Sequence, residues 1–389
     1  MLSQRIQTLS PSLTITIATL ARELKAEGKD IISFSAGEPD FDTPIAVKNA
    51  AKEALDLGHT KYTSVPGTPE LLQAVADKLQ RENGLSYTTQ QIQTNNGAKH
   101  SLFNLFQALI DEGDEVIIPA PYWVTYPELV KYASGIPVII DTDDSSGFKI
   151  TPSQLKDAIT PKTKILILTS PSNPTGAVYS QSELEALAEV LKDTKVFVIS
   201  DEMYEKLVFD GTKFVATASI SEDMFQRTIT VNGLSKSAAM TGWRFGYMAS
   251  AHTDLIMAMN KLQSQSTSNI SSITQEAAIV GLNGTIDQEV EEMRVAFEAR
   301  CNEATKLFNA VDRLSVVKPS GAFYLFVNIK EISNDSMQFC KDLLEDQGVA
   351  VVPGVGFGAE GYFRFSYATD MDTINEGIKR IETFVKKQK

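Results

Sequence analysis

A chain of 389 residues, 43% hydrophobic and 22% charged, is long enough for two or three structural units, and its balance excludes collagen-like, disordered and coiled-coil proteins. Its 36 basic residues against 49 acidic ones leave a net charge of −13, a field that repels phosphate backbones and argues against nucleic acid as a partner. An anionic small substrate would need locally placed cations. The two cysteines, Cys301 and Cys340, form no CxxC pair and read as buried apolar positions in a reducing compartment. The opening Met1-Leu2-Ser3-Gln4-Arg5 precedes no apolar signal core, and no run nears the ~18 apolar residues of a membrane span. The expectation is a soluble cytoplasmic protein.

In chain order, residues 31–35 (IISFS) predict a strand. Thr43-Pro44 predicts a helix start, as N-cap and first helical residue, with Gly58 closing it. Thr68-Pro69 opens a second helix that stops near Asn83-Gly84, and Gly97 leads into a third over Ala98–Leu109. Short β-branched runs follow at 115–118, 136–140, 164–168, 195–199 and 228–231. Several are apolar throughout, as strands buried on both faces are. Helical periods lie between them, such as 181–192 with Leu184, Leu187, Ala188 and Leu191 on one face. This alternation predicts an α/β fold with a mainly parallel sheet covered by helices on both sides.

After about residue 284 the texture changes. A long helical pattern (285–311) precedes strand-like stretches at 322–328, 349–352 and 362–367 and a final helix from Asp370. That reads as a smaller α+β domain. The 31–35 strand lies outside the central alternation, so residues 13–43 are expected to pack with it. The division expected is an arm over 1–12, a small-domain part over 13–43, a large domain over 44–284 and a small C-terminal domain over 285–389.

Four polar elements follow buried strands or open a helix, where open α/β sheets place ligands. Ser170-Pro171-Ser172-Asn173-Pro174-Thr175-Gly176 follows one strand, and its prolines would hold the Asn173 amide rigid. Ser200-Asp201-Glu202-Met203-Tyr204 follows the next. Its carboxylate either caps a following helix or faces a cationic ring nitrogen. Asn232-Gly233-Leu234-Ser235-Lys236 comes after the 228–231 strand, with Thr241-Gly242-Trp243-Arg244 beyond. In an occluded pocket a lysine loses its proton near neutrality and becomes a Schiff-base candidate, whereas an isolated loop lysine is ordinarily just solvated. The Arg244 guanidinium suits a phosphate dianion. Asn95-Asn96-Gly97-Ala98-Lys99 presents bare N–H groups at a helix start, a second phosphate seat. Together these describe a site for pyridoxal phosphate.

The ordered blocks SPSNPTG, SDEMYE, NGLSKSAAMTGWR, PSGAFY and FRFSYAT resemble the class I aminotransferases of pyridoxal-phosphate fold type I. AGEPDFDTP (36–44), KYTSVPGTPEL (61–71) and PAPYWVTYPE (119–128) narrow the resemblance to the prokaryotic-type aspartate aminotransferase subgroup, which includes aspartate/prephenate enzymes. It runs over about residues 5 to 385. It implies a large domain with a mostly parallel seven-stranded sheet, a smaller α+β domain, pyridoxal 5′-phosphate as cofactor, and ping-pong transamination between L-aspartate and 2-oxoglutarate. By that resemblance Lys236 holds the cofactor and moves the substrate proton, and Asp201 pairs with the ring nitrogen. Asn173 and Tyr204 bond the ring oxygen, and Trp123 stacks on the ring. Arg244 and the N–H groups of Gly97 and Ala98 hold the phosphate. Tyr62 reaches the phosphate of a second copy, which implies a homodimer. Arg364 and the Gly37 backbone take the substrate α-carboxylate, and Lys99 with Thr14 the distal one.

Two departures affect detail. Gly233 stands where animal-type relatives carry a hydroxyl, so Ser235 is the expected substitute at the phosphate. Ser10 stands where relatives acting on prephenate often carry a basic residue, which leaves prephenate or aromatic amino acids as the alternative substrates. A G-x-G-x-x-A pattern at Gly354–Ala359 fails as a dinucleotide motif, because strand-like Tyr362–Tyr367 follows it. His59, His100 and His252 show no metal-ligand spacing.

Overall fold

The structure, a computed structural model, describes residues 2–388. Its strands in chain order are β1 (Ile32–Ser33), β2 (Ile92–Asn96), β3 (Glu115–Ala120), β4 (Ile136–Asp141), β5 (Thr163–Thr169), β6 (Phe197–Asp201), β7 (Thr228–Gly233) and β8 (Phe245–Ser250). The remainder are β9 (Ser315–Val316), β10 (Tyr324–Asn328), β11 (Val349–Ala350), β12 (Val352–Pro353) and β13 (Tyr362–Ser366). Seven of them form one sheet in the order β2-β8-β7-β6-β5-β3-β4. Its pairs are parallel except those of β8, which is antiparallel to both neighbours. This is the mostly parallel seven-stranded α/β sheet of fold type I.

Burial follows the apolar runs. Ile165, Leu166, Ile167 and Leu168 of β5 all lie inside, as do Val198 and Ile199 of β6, because helices cover both faces. Register then fixes what lies at the edge: Thr169 pairs with Asp201, and Asp201 with Val231. The turn after β5, the end of β6 and the loop after β7 therefore emerge side by side. β2 and β8 were not anticipated, since QTNN and FGYMAS carry amides and glycine in place of β-branched residues. Gln263 takes up the amide donors of β2, Gln93 Nε2 and Asn95 Nδ2 donating to Gln263 Oε1 at 3.1 and 2.6 Å, while Gln93 Oε1 and the Tyr247 hydroxyl of β8 are buried without a partner.

A second sheet of four antiparallel strands runs β12-β13-β10-β9, with helices 287–309 and 336–347 packed on it and helix 371–387 packed on those two helices and on β11. β1 pairs in parallel with β11, and Phe34 stacks on Phe365 at 4.0 Å, so residues 32–34 do pack with this late segment. The stretch 349–352 is split, β11 pairing with β1 and β12 with β13. Thr43 is not an N-cap. The helix is Ile45–Asp56 with Pro44 at the cap position, and Thr43 Oγ1 instead donates to the Ala239 carbonyl and accepts from Trp243 Nε1, at 2.7 and 3.0 Å. Thr68 does cap its helix, accepting from the Leu71 N–H. Among the described residues, no helix is long and apolar enough to cross a membrane.

One close approach positions the site. Gly233 of β7 pairs with Gly246 of β8. A Cβ on Gly233 would lie 2.7 Å from the Phe245 carbonyl oxygen, and one on Gly246 would collide with the backbone of Gly97 and Ala98. The missing side chains let the start of helix 98–109 lie directly on β8. The same crowding explains why no hydroxyl residue stands at 233. Gly246→Ala is expected to lower unfolding stability by about 3 kcal/mol, the scale of backbone overpacking. Gly242→Ala, with nothing within 4 Å of its Cβ, should change it by less than about 0.5 kcal/mol. Urea unfolding of both variants tests this.

Candidate active site

A cavity of about 540 Å³ opens where β5, β6 and β7 end, walled on one side by these edges and on the other by Tyr324 and Arg364 of the small sheet. Asp201 is the last residue of β6. Its carboxylate accepts from Tyr126 Oη at 2.6 Å and from the Met203 N–H at 3.3 Å. Burial pushes its pKa up, while these bonds and the Lys236 charge hold it down. No helix follows Asp201, so the capping alternative is removed; the chain turns instead, bringing Tyr204 Oη to 2.9 Å from Tyr324 Oη.

Lys236 stands in the loop between β7 and β8, its Nζ donating to the Gly37 carbonyl. Burial draws the amine down to about 8; the Arg364 and Arg244 charges add to the fall, and Glu38 and Asp201 oppose it. Arg364, 1% exposed, donates through Nη1 to Asn173 Oδ1 and through Nη2 to the Ser35 carbonyl, both at 2.9 Å. Its Nε is buried without a partner.

Gly97 (φ +82°) precedes helix 98–109, and a Cβ there would collide with the Arg244 guanidinium. Arg244 is held by the Thr241 carbonyl at 2.7 Å. Ala98 and Ser235 line the cavity beside it. Trp123 is set edge-on to Tyr126, with ring centroids 5.5 Å apart, and Lys99 Nζ lies 4.7 Å from the Trp123 ring centre. Burial and then the Arg244 charge lower the Lys99 pKa. Thr14 lines the cavity and its Oγ1 is buried without a partner. A Cβ on Gly37 would lie 3.3 Å from Tyr324 Oη, so the crowding there comes from protein as well as from any ligand. Tyr62 alone stands apart, 90% exposed and outside the cavity.

The profile named "Aminotransferase class I and II" matches residues 29–381. The chain is 48% identical to the aspartate aminotransferase of Bacillus subtilis, over 99% of each chain. It is 47% identical to the aspartate/prephenate aminotransferase of Cereibacter sphaeroides, over 98% of each. The aspartate aminotransferase structure from Rhizobium meliloti superposes with a TM-score of 0.96 at 44% identity, covering 100% of both chains. That from Thermus thermophilus, solved with maleate, gives 0.95 at 42%, covering 98% of this chain and 99% of that one.

The chain belongs to the class I and II aminotransferases. The cofactor of this aminotransferase is pyridoxal 5′-phosphate, and the cavity fits it. An amine with a depressed pKa, a buried carboxylate and a helix start cleared of side chains beside a guanidinium match an aldehyde, a ring nitrogen and a phosphate respectively. Seven lining residues escaped the sequence reading: Ile15, Glu38, Tyr126, Thr169, Met203, Thr241 and Tyr324. Tyr126 was legible only as the residue three after Trp123, in the first turn of helix 125–132. Tyr324 sits inside PSGAFY but reads as core. Glu38, inside AGEPDFDTP, accepts from Thr241 Oγ1 at 2.9 Å across the cavity mouth. The 354–359 pattern forms a turn whose Phe357 ring lies 5.1 Å from the Arg364 guanidinium.

Only neutral Lys236 has a lone pair to attack an aldehyde. Capture of added cofactor by cofactor-free protein should therefore accelerate as pH rises and level off above about 8. Stopped-flow absorbance checks this. A rate still climbing at pH 10, the range of an ordinary lysine, would contradict the depressed value.

Proposed function

We propose that the protein exchanges an amino group between L-aspartate and 2-oxoglutarate, giving oxaloacetate and L-glutamate in two half-reactions. The observation that carries this is a single cavity holding two separate carboxylate seats, Arg364 and Lys99, around one neutral-capable amine. Bound pyridoxal phosphate supplies an electron sink for the charge left when the substrate Cα loses its proton.

The chain's own residues then have distinct tasks. Arg364, with its free Nε, takes the α-carboxylate, supported by the Gly37 backbone. Lys99 and the unpartnered Thr14 hydroxyl take the distal carboxylate. Lys236 Nζ would accept the Cα proton and pass it to the aldehyde-derived carbon of the cofactor. Asp201 stabilises a proton on the ring nitrogen, while Tyr204 and Asn173 bond the ring oxygen. Trp123 covers the ring face. The N–H groups of Gly97 and Ala98, the Arg244 guanidinium and the Ser235 hydroxyl hold the phosphate. Exposed Tyr62, with exposed Ile45, Leu55 and Leu57 in the same stretch, supports a homodimer in which Tyr62 reaches the neighbouring copy's phosphate. The same reading takes 1–12 as an arm, 44–284 as the large domain, and 13–43 with 285–389 as a small domain that closes over the substrate and excludes water. It places the enzyme in the cytoplasm.

Titration with L-aspartate alone, without a keto acid, should convert the yellow protein to the pyridoxamine form and release oxaloacetate. An unchanged spectrum would remove aspartate as substrate and turn attention to prephenate-derived and aromatic amino acids. Lys99→Ala should lower kcat/KM for aspartate on the order of 100-fold, the scale of losing a buried charge partner. Turnover of an aromatic amino acid should stay within a few-fold. Equal losses on both would place Lys99 outside substrate recognition.

A further inference from the structure

Tyr324 of β10 touches both halves of the site. Its hydroxyl lies 2.9 Å from that of Tyr204, and its ring face lies 4.3 Å from the Arg364 guanidinium carbon. It is fully buried, and antiparallel pairing of Phe326 with Arg364 and of Tyr324 with Ser366 fixes it beside β13. Burial raises the pKa values of both phenols, so each keeps its proton.

In a contact between two hydroxyls, only one proton can lie between the oxygens. If Tyr204 donated to Tyr324, it would have no proton left for the cofactor ring oxygen. Neither hydroxyl has another acceptor among the described residues and both border the cavity, so the direction follows from Tyr204 being the one assigned to the ring oxygen. We propose that Tyr324 is a positioning residue: its hydroxyl donates to Tyr204 and turns the Tyr204 proton toward the cofactor's ring oxygen, while its ring holds the Arg364 guanidinium in place for the substrate carboxylate. Donation into Tyr204 also polarises that hydroxyl and makes it a stronger donor. One side chain on the small sheet thereby sets the ring oxygen's hydrogen bond and the carboxylate seat together. This rests on the reading of Tyr204 and Arg364 given under Proposed function.

Two substitutions separate the two roles. Tyr324→Phe keeps the ring and removes the donor. The pH midpoint of the bound cofactor's visible absorbance change should rise by about half a unit or more, because the deprotonated chromophore loses part of its stabilising hydrogen bond. KM for aspartate should stay within about twofold. Tyr324→Leu removes the ring as well and should raise that KM by about 5- to 30-fold, the scale of a desolvated cation–π contact. Combining Tyr324→Phe with Tyr204→Phe should move the midpoint no further than Tyr204→Phe alone, since the first acts through the second. An unmoved midpoint in Tyr324→Phe, or additive shifts in the double variant, overturns the hydrogen-bond role. Equal KM changes in the Phe and Leu variants overturn the ring role. Loss of the visible band in the unsubstituted protein would instead sink the underlying cofactor reading, and circular dichroism of each variant identifies one that has not folded.

Discussion

The geometry of the cavity depends on a single buried cation. Taking the Arg364 guanidinium out of water costs several kcal/mol. That cost is offset by charge-assisted bonds to Asn173 Oδ1 and the Ser35 carbonyl and by the nearby rings of Tyr324 and Phe357. These partners come from the turn after β5, the segment after β1, the small sheet and the 354–357 turn, so one side chain ties four separate pieces of chain together. It also orients Asn173. Arginine has donors only, so the amide must present its oxygen to Arg364 and its NH₂ to the cavity. A carboxylate seat thereby dictates the hydrogen-bonding sense of a group assigned to the cofactor.

The charge distribution inverts that of the molecule as a whole. A chain of net charge −13 gathers Lys99, Lys236, Arg244 and Arg364 into one cavity against Asp201 and Glu38. Cations confined together disfavour the most easily discharged member, and that member is the lysine. The Lys236 pKa is depressed first by burial and then further by Arg364 and Arg244, the residues assigned to the substrate carboxylate and the phosphate. Asp201, bonded by Tyr126 at the sheet edge, opposes the fall of the lysine and is itself held down by the lysine's charge.

What was legible in the sequence follows from how each residue gains its stability. Strands β3, β5, β6 and β7 announce themselves because burial on both faces demands largely apolar, β-branched runs, and β4, half exposed at the sheet edge, does so by its β-branched residues alone. β2 and β8 do not: Gln263, some 170 positions away, takes up the amide donors of Gln93 and Asn95 in β2, β8 carries glycine where a branched residue would signal a strand, and no local pattern carries that information. Thr43 looks like a cap by type and position, yet Ala239 and Trp243 compete for its hydroxyl and win. Lys236, Asp201, Asn173 and Arg244 stand in polar segments next to strands and could be read directly. Tyr126 and Tyr324 could not, since a buried tyrosine is ordinarily core and only the partner of its hydroxyl distinguishes the two cases.

The reversal of one strand explains why the lysine and the phosphate-facing arginine can share a loop. β7 ends at the active edge and Lys236 follows it. β8 runs antiparallel, so it begins at that same edge, directly after Arg244. A parallel β8 would need a crossover to the far side of the sheet before it could start, and Arg244 would lie at the opposite end from Lys236. Because β2 is antiparallel to β8 in turn, it runs toward the active edge and ends there, delivering Gly97 and the start of helix 98–109 beside Arg244. Gly246 completes the arrangement by letting that helix start rest on β8. The two strands least visible in the sequence are thus the ones that bring the phosphate cradle to the lysine.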